Sequence, residues 1–240
     1  ASTHTLRDLS LPHLDALLRR LAPTAVAGGD EYSLSPPHEE AQARAWGWQG
    51  EDGALPFAAH QAALDGIAVG TDAWGLLTPV HWHVGRDHIT LADPDALALS
   101  DAESRAYFDA VRELFESEGY RLAWGAAQRW YVRHESLQGL ACASLDRVIG
   151  RNVDLWLRPH PQARLLRRLQ NEVQMLLYPH PLNETREAAG ALTVNSFWLS
   201  GCGRAQPADA AALSVDERLR APLLASDWAG WADAWRALDA

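Results

Sequence analysis

Three polar side chains within one short stretch could together bind an anion. His180, Asn183 and Arg186 stand on a His-Pro turn and on the first coil of a short predicted helix, where residues 183 and 186 share one face. A guanidinium binds a phosphate or another oxyanion through paired hydrogen bonds. The simpler alternative is a turn that starts a helix, with Asn183 as its cap and Arg186 in a surface ion pair.

The same stretch continues into an apolar segment that predicts a buried strand over 193–200, followed by a tight turn at 201–203. Asn195 lies within this strand. Because a buried amide without partners costs about 1–3 kcal/mol, Asn195 must either orient a ligand or fix a neighbouring loop. We therefore assign one candidate ligand-binding set, which comprises His180, Asn183, Arg186, Asn195, Gly201 and Gly203.

A second candidate pair begins the predicted helix 38–46. His38 and Glu39 could act as acid and base or bind Mn²⁺ or Mg²⁺. The simpler alternative is that Glu39 and Glu40 interact favourably with the helix dipole in the first turn, with no catalytic or metal-binding role. His81, His83 and His88 form a histidine cluster. No Cys or acidic residue at ligand spacing completes a metal site with them. We therefore predict no catalytic residue, no metal and no other cofactor. The alternative is a catalytic site formed by His38 and Glu39 with a bound Mn²⁺ or Mg²⁺.

The charge balance excludes several partners and chemistries. The net charge of −10 argues against a nucleic-acid backbone or an anionic membrane surface as the main partner. All 21 cationic residues are arginines, so Schiff-base chemistry and a P-loop phosphate clamp, which need a lysine, are excluded. No apolar run approaches the roughly 20 residues that span a bilayer. Cys142 and Cys202 fit no metal spacing and favour a reduced cytoplasmic setting, in which one disulfide could still form.

Predicted helices and short strands indicate a soluble α/β protein. Helices are predicted over 9–21, 38–46, 56–64, 101–118, 162–178 and 226–238, with a surface helix and loops over 207–222. Strands are predicted over 80–84, 88–91, 120–124, 129–132, 137–142 and 193–200, the first two joined by a hairpin turn. The strands and the helix in the middle of the chain indicate a small α+β unit, which we place at 76–154 as an insertion.

The last predicted helix carries an aromatic stripe. Trp228, Trp231 and Trp235 follow one another at i, i+3 and i+7, which gives the helix one apolar face in need of a partner. This face predicts a contact with a protein partner or a homo-oligomer. It also leads us to expect that the native protein continues beyond residue 240.

The pattern His180-Pro-x-Asn183-x-x-Arg186, followed by Asn195 and by the glycines at 201 and 203, resembles a segment of the archaeal-type, cofactor-independent phosphoglycerate mutases. These enzymes belong to the alkaline-phosphatase superfamily. Upstream, 12–17, 36–48, 53–58 and 79–85 resemble further mutase segments in the same order. The amino-acid sequences of 170–183 and 194–203 resemble bacterial regulatory proteins of the RpfE type even more closely than they resemble the mutases.

This resemblance implies a degenerate α/β fold of the alkaline-phosphatase and phosphoglycerate-mutase type, formed by 1–75 and 155–240, with 76–154 inserted. It also implies that the machinery of the mutases is lost. Their phosphorylated serine corresponds to His38, and three of their phosphate-binding arginines correspond to Ala54, His83 and Ser200. Their N-terminal metal-binding Asp-Gly motif has no counterpart, nor has their long C-terminal half after Gly203.

Three functions follow as hypotheses. The first is a non-catalytic, mutase-like regulatory protein that binds a small phosphorylated metabolite. The second is a divergent, metal-dependent mutase or phosphatase that uses His38 and Glu39, since an imidazole is a competent nucleophile. The third is a structural protein that docks through the tryptophan-bearing C-terminal helix.

Overall fold

In the computed structural model, which describes residues 7–23, 25–157, 163–208 and 213–240, the chain forms two units. The larger unit comprises the described residues of 28–208, and the smaller unit those of 1–27 and 209–240. The α-helices are α1 Pro12–Leu18, α2 Pro37–Ala45, α3 Phe57–Leu64, α4 Asp101–Ser117, α5 Leu145–Val148, α6 Ala163–Leu177, α7 Pro181–Ala188, α8 Arg220–Leu224 and α9 Trp228–Asp239. The strands are β1 Ala73–Val80, β2 Trp82–Val84, β3 Ile89–Leu91, β4 Arg121–Ala126, β5 Arg129–Arg133 and β6 Ser196–Arg204.

Strand β1 organises the larger unit, because it is buried along nearly its whole length. It pairs antiparallel with β5 on one side and with β6 on the other, and β4 pairs with β5, so the sheet has the order β4-β5-β1-β6. The ladder between β1 and β6 runs from the Ala73–Arg204 pair to the Val80–Ser196 pair. The predicted mixture of helices and strands is confirmed, and the strands of this sheet are antiparallel.

The sheet lies between two helical layers. Side chains alternate across a strand, so Ala73 and Leu77 of β1 enter the main core, to which α4 and α6 also contribute. Trp74 and Leu76 point to the opposite face, where they contact buried alanines of α3. Because alanines replace larger side chains on α3, this helix can approach the sheet closely.

Helix α4 forms where the sequence predicts it, for local reasons. The Ser100 hydroxyl accepts a hydrogen bond from the Glu103 amide, and the Glu103 carboxylate accepts one from the Ser100 amide. This capping box satisfies two backbone donors that would otherwise lack partners. Tyr107, Val111 and Phe115 then bury one face of the helix in the main core.

A second, smaller core lies beneath the β2–β3 hairpin. The hairpin is confirmed, with Gly85 N donating to His88 O at 3.0 Å at its turn. The core joins residues of four segments, and its buried members are Leu34, Val80, Trp82, Leu91, Ala143, Val148, Val153, Trp156 and Trp198. It therefore holds the loop before α2 and helix α5 against the end of the sheet.

The predicted turn at 201–203 is wrong, because β6 continues through it to Arg204. The pairing with β1 shifts register between Trp74 and Leu76, which inserts an extra residue into β6 as a bulge. Gly201 adopts a φ of +65° there, and a Cβ at this position would lie 2.8 Å from Ala58 N. Glycine is thus required by the bulge and by the close approach of α3.

The predicted strand 137–142 is also wrong. A 3₁₀ turn, Glu135–Leu137, is followed by an irregular segment. Two of its amides bond to single carbonyls of the loops before and after α2 rather than to a neighbouring strand. Cys142 N donates to Gly53 O at 2.9 Å, and Ser144 N donates to Leu34 O at 3.0 Å. The surface helix predicted at 207–222 lies partly outside the described residues, and 213–217 has no regular secondary structure.

The predicted division of the chain does not follow the sheet. The boundary at residue 76 lies inside β1, and β1 pairs with β6 from the other predicted portion. The assignment of 76–154 as an insertion therefore stays a prediction.

The smaller unit contains α1, α8 and α9. Leu14 N donates to the Asp239 carboxylate at 2.6 Å, which joins α1 to the end of α9. The rings of Trp228 and Trp231 lie 6.5 Å apart, and those of Trp231 and Trp235 lie 6.0 Å apart, so the predicted aromatic stripe forms. A partner for this stripe stays a prediction. No helix within the four described ranges is long and apolar enough to cross a bilayer.

Candidate functional site

A cluster of ionisable side chains in close contact lies at the start of α2. We call it the helix-start cluster and define it as His38, Glu39, Ser144, Asp146 and Arg147. His38 and Glu39 lie in the first turn of α2. Ser144 directly precedes α5, and Asp146 and Arg147 lie within α5. Contacts between residues more than 100 positions apart thus create the cluster.

The loop before α2 is braced so that the helix begins at a fixed place. The Asp52 carboxylate accepts hydrogen bonds from Leu34 N at 2.9 Å and from Ser35 N at 2.7 Å. The Ser35 hydroxyl accepts one from Gly53 N at 2.9 Å. Pro36 and Pro37 follow, and a proline at the first helical position suits the helix because its missing N–H would have no partner there.

Glu39 is the most strongly perturbed carboxyl of the cluster. The Ser144 hydroxyl donates a hydrogen bond to its Oε1. Burial raises the pKa of Glu39 to about 7, and the Ser144 hydrogen bond opposes this rise only in part. Near neutral pH the carboxyl therefore exchanges between its protonated and charged forms, which suits a proton donor or acceptor.

Arg147 supplies a positive group to the cluster, and His38 supplies a second one when it is protonated. His38 Nε2 lies 3.4 Å from Asp146 Oδ2, and 62% of the histidine side chain is exposed whereas 14% of the aspartate side chain is. Arg147 Nη2 donates to the Ser33 hydroxyl and, at 3.0 Å, to Ser35 O. Its buried Nε has no hydrogen-bond partner within the described part of the chain. The cluster can hold a proton and can attract an anion.

The donor set of this cluster does not fit a divalent metal. Within the described ranges, no group of three or more His, Cys, Asp or Glu side chains is arranged to hold a metal ion. A metal ligand must also be deprotonated, and the raised pKa of Glu39 works against that. The predicted alternative of Mn²⁺ or Mg²⁺ at His38 and Glu39 therefore lacks support from these side chains.

Asn183 of the predicted ligand-binding set is 3% exposed and bonds within the protein. Its Nδ2 donates to Leu177 O and to Val194 O, both at 2.8 Å. Its Oδ1 accepts hydrogen bonds from Tyr107 Oη at 2.6 Å and from Val194 N at 3.0 Å. An amide offers two donors and two acceptor sites, so Asn183 is fully used in joining α4, α6 and the segment before β6.

Arg186 is 7% exposed, so it does not form the surface ion pair that the simpler alternative predicts. Its Nε donates to Leu192 O at 2.7 Å, Nη1 donates to Glu103 Oε1 at 2.6 Å, and Nη2 donates to Leu97 O. All three nitrogens of the guanidinium thus contact protein acceptors. These are the contacts of a residue that holds the fold, and an anion-binding role for Arg186 stays a prediction.

His180 caps α7, so the predicted capping role of Asn183 is wrong. His180 Nδ1 accepts a hydrogen bond from Leu182 N at 3.2 Å. Its ring centroid lies 5.0 Å from that of Tyr107, and burial lowers the pKa of His180. The imidazole is therefore mostly neutral near pH 7, which suits an acceptor at a helix N-terminus.

Asn195 bonds to the strand that follows β1. Its Oδ1 accepts from Trp82 N at 2.7 Å, and its Nδ2 donates to Trp82 O at 3.0 Å. The amide thus continues the ladder where β1 ends, as the loop-fixing alternative requires. His81, close by, bonds through Nδ1 to Thr193 O at 2.9 Å, and its ring lies 4.5 Å from that of His83.

The six residues of the predicted set occupy three places. His180, Asn183 and Arg186 contact α4 and the segment before β6, and Asn195 contacts Trp82. Gly201 faces α3, and Gly203 faces Pro56 just before it. Gly203 and Ala54 together line a polar cleft of about 250 Å³, in which Arg204 also stands. This volume is below that of most small-ligand pockets, which begin at about 300 Å³. A ligand-binding role for the set stays a prediction.

Sequence reasoning missed the second half of the helix-start cluster. Ser144, Asp146 and Arg147 follow a segment that we predicted as a strand, so their helix start was not recognised. The signal that could have found them is the run Ser-Leu-Asp-Arg, in which a capping residue precedes an acid and a base.

Comparisons with known proteins give one consistent similarity. No protein-family model matches the chain. The chain is 25% identical over 206 residues to a probable 2,3-bisphosphoglycerate-independent phosphoglycerate mutase of Geobacter sulfurreducens, covering 83% of this chain and 50% of that protein. Among solved structures, a cofactor-independent phosphoglycerate mutase from Thermoplasma acidophilum matches with a TM-score of 0.47 and 16% identity, over 85% of this chain and 54% of that one.

The PH0037 protein from Pyrococcus horikoshii matches with a TM-score of 0.43 and 16% identity, over 83% of this chain and 45% of that one. The chain thus spans about half the length of each of these three proteins. It is distantly similar to the cofactor-independent phosphoglycerate mutases, so that part of the resemblance is confirmed. The relation to RpfE-type proteins stays a prediction.

Proposed function

We propose that the chain is a phosphoglycerate mutase-like protein that binds a small phosphorylated metabolite without transforming it, and that it acts as a regulatory protein of the RpfE type. The observation that carries this proposal is the chemistry of the helix-start cluster. The resemblance places the nucleophilic serine of the mutases at His38, whose imidazole pairs with Asp146. Beside it stands Glu39, a carboxyl that is partly protonated near neutral pH.

Phosphoryl transfer through a serine needs a reactive hydroxyl and cations that neutralise the developing charge. The hydroxyl in the cluster belongs to Ser144, and it donates its proton to the Glu39 carboxyl. The described side chains include no metal-ligating group of three. These features support binding and regulation over catalysis.

Three more positions support the same proposal. Where the resemblance places phosphate-binding arginines, this chain has Ala54, His83 and Ser200. Ser200 is buried within β6, and His83 is exposed on β2. Each charge-assisted hydrogen bond that a guanidinium would make is worth about 1.5–3 kcal/mol. A site without these bonds stabilises the charge of a transition state far less than a mutase does.

A phosphate group could be held at the start of α2. The N-terminal end of a helix favours an anion, and the Arg147 guanidinium contacts the loop before α2 through Ser33 and Ser35. His38 adds a positive charge when it is protonated. A bound phosphate would in turn favour the protonated form of Glu39.

A thermal-shift titration with 3-phosphoglycerate tests the binding proposal. A ligand at 100 times its Kd adds about 2.7 kcal/mol to the unfolding free energy, which raises the Tm of a chain of this size by roughly 5–10 °C. Glycerate at the same ionic strength is the matched control and should give no saturable shift. Equal curves for glycerate, 3-phosphoglycerate and other phosphorylated three-carbon acids would contradict binding of this class.

A second candidate function is a divergent phosphotransferase that uses His38. The pairing of His38 with Asp146 favours it, because a carboxylate orients an imidazole and raises its basicity. Such an enzyme would carry a phosphate on His38 during turnover. Intact mass after incubation with 3-phosphoglycerate should then show one added phosphate in the parent chain and none in His38→Ala. Absence of the adduct in both chains supports the non-catalytic proposal.

A further inference from the structure

The two cysteines of the chain lie in contact, although 60 residues separate them. Cys142 Sγ and Cys202 Sγ are 3.8 Å apart, and both are free thiols. Cys202 lies on β6 and is fully buried, whereas Cys142 lies on the irregular segment before α5 and is partly exposed. Nothing in the proposed function uses either thiol.

Their surroundings differ in a way that matters for oxidation. Cys142 is partly exposed and lines a mostly apolar cavity together with Trp156, Gln170 and Phe197. The neighbouring Cys142 thiol, together with burial, raises the pKa of Cys202 well above its usual range. Its burial and its raised pKa make Cys202 a slow first target for an oxidant, because the thiolate is the reactive form.

The backbone holds the two sulfurs in this relation. Cys142 N donates to Gly53 O at 2.9 Å, and Cys202 lies in β6 at the bulge, between Ser200 and Gly203, which both pair with β1. A disulfide requires a separation of about 2.05 Å, so the sulfurs need to approach by less than about 2 Å. The irregular segment that carries Cys142 can make this movement more easily than β6, which is paired with β1 before and after the bulge.

We propose that Cys142 and Cys202 are an oxidation-sensitive pair that closes to an intramolecular disulfide in response to a peroxide. Cys142 sulfur attacks one peroxide oxygen, the O–O bond breaks, and Cys142 becomes a sulfenic acid with release of water or an alcohol. Cys202 sulfur then attacks Cys142 sulfur, the S–O bond breaks, and water leaves with the Cys202 proton. The two thiols lose two electrons, and the peroxide gains them.

Closure of this disulfide acts on the helix-start cluster. Ser144, two residues after Cys142, donates to Glu39, and the intervening Ala143 O accepts from Trp198 Nε1 at 2.9 Å. A bond at Cys142 therefore restrains the segment that carries Ser144. The oxidation state of the pair and the setting of Glu39 are coupled through two residues of backbone.

Peroxide treatment of the purified chain followed by intact mass and thiol counting tests the proposal. The parent chain should lose two hydrogens and both free thiols, without dimers, and recover them with dithiothreitol. Cys202→Ser should instead gain oxygen at Cys142, and Cys142→Ser should react at least about tenfold more slowly, because its remaining thiol is buried. Retention of both thiols, disulfide-linked dimers, or equal rates in the two variants would overturn it.

Hydrogen exchange at the Ser144 amide tests the coupling. This amide donates to Leu34 O at 3.0 Å, and its exchange should slow in the oxidised chain because the segment opens less often. An unchanged rate, with the disulfide shown by mass, would overturn the coupling to the helix-start cluster.

Discussion

The Ser144 hydroxyl donates a hydrogen bond to the Glu39 carboxyl, and 105 residues separate the two along the chain. This contact joins the residue before α5 to the first turn of α2. It places beside His38 a carboxyl whose pKa burial raises to about 7. Substitutions in this cluster and around the predicted anion site should therefore have distinct, measurable effects.

Glu39→Gln should stabilise the chain at alkaline pH. The pKa of Glu39 is raised to about 7, so the folded chain binds the proton of this carboxyl more tightly than the unfolded chain does. The stability that this proton contributes to the fold is therefore lost as pH rises from about 4.5 to 7. By pH 8 the loss reaches as much as about 3 kcal/mol, and the neutral amide avoids it. Urea unfolding should show Glu39→Gln about 1–3 kcal/mol more stable than the parent at pH 8 and nearly equal at pH 4.

The exposed Glu113 of α4 gives a matched control, since Glu113→Gln should leave the difference between pH 4 and pH 8 unchanged. The contrary result is that Glu39→Gln is no more stable than the parent at pH 8. Ionisation of the Glu39 carboxyl would then lower the free energy of unfolding very little. The prediction that the charged form of Glu39 destabilises the fold at alkaline pH would then be wrong.

Asn183→Ala should destabilise the fold strongly. The substitution leaves Tyr107 Oη, Val194 O and Val194 N without their buried partner. Each unpaired buried group costs about 1–3 kcal/mol, so we expect a loss of about 3 kcal/mol or more in urea unfolding. Thr185→Ala on the exposed face of the same helix should change the stability by less than about 0.5 kcal/mol. A loss for Asn183→Ala as small as for Thr185→Ala would favour a ligand-binding role over a structural one.

Gly201→Ala should cost more than a positive φ alone explains. Gly190 has a φ of +70° with open space around it, and Gly201 has a φ of +65° with Ala58 N 2.8 Å from the position of a Cβ. Gly190→Ala should cost about 1 kcal/mol for its left-handed backbone. Gly201→Ala should lose at least about 2 kcal/mol more, because β6 or α3 must move. Equal losses in thermal melts would mean that α3 does not approach the bulge closely.

Local signals made part of this fold predictable from sequence. The capping box at Ser100 and Glu103 and the turn at Gly85 are set by neighbouring residues, so α4 and the β2–β3 hairpin were predicted. Strand β1 was missed because it is buried on both faces and shows no alternation, and because it contains Gly75 and Pro79. Pro79 is tolerated because the pairing with β5 ends at Leu77, so no β5 carbonyl needs its N–H.

The candidate site was less predictable. The sequence drew attention to Asn183 and Arg186 by residue type, but a buried amide and a buried guanidinium serve a fold as readily as a ligand. The Ser144–Glu39 and Arg147–Ser33 contacts join residues 105 and 114 positions apart, and no local pattern specifies such pairs. The contact between the two cysteines depends on the same long-range folding.

The most direct test of the account is whether the purified chain interconverts 3-phosphoglycerate and 2-phosphoglycerate. Phosphorus NMR with Mn²⁺ or Mg²⁺ present follows both acids and released phosphate, and an active phosphoglycerate mutase assayed alongside shows that the conditions support turnover. We predict that all signals stay at the level of a protein-free blank. Sustained formation of 2-phosphoglycerate or phosphate that is abolished in His38→Ala would contradict the non-catalytic function and establish the phosphotransferase alternative.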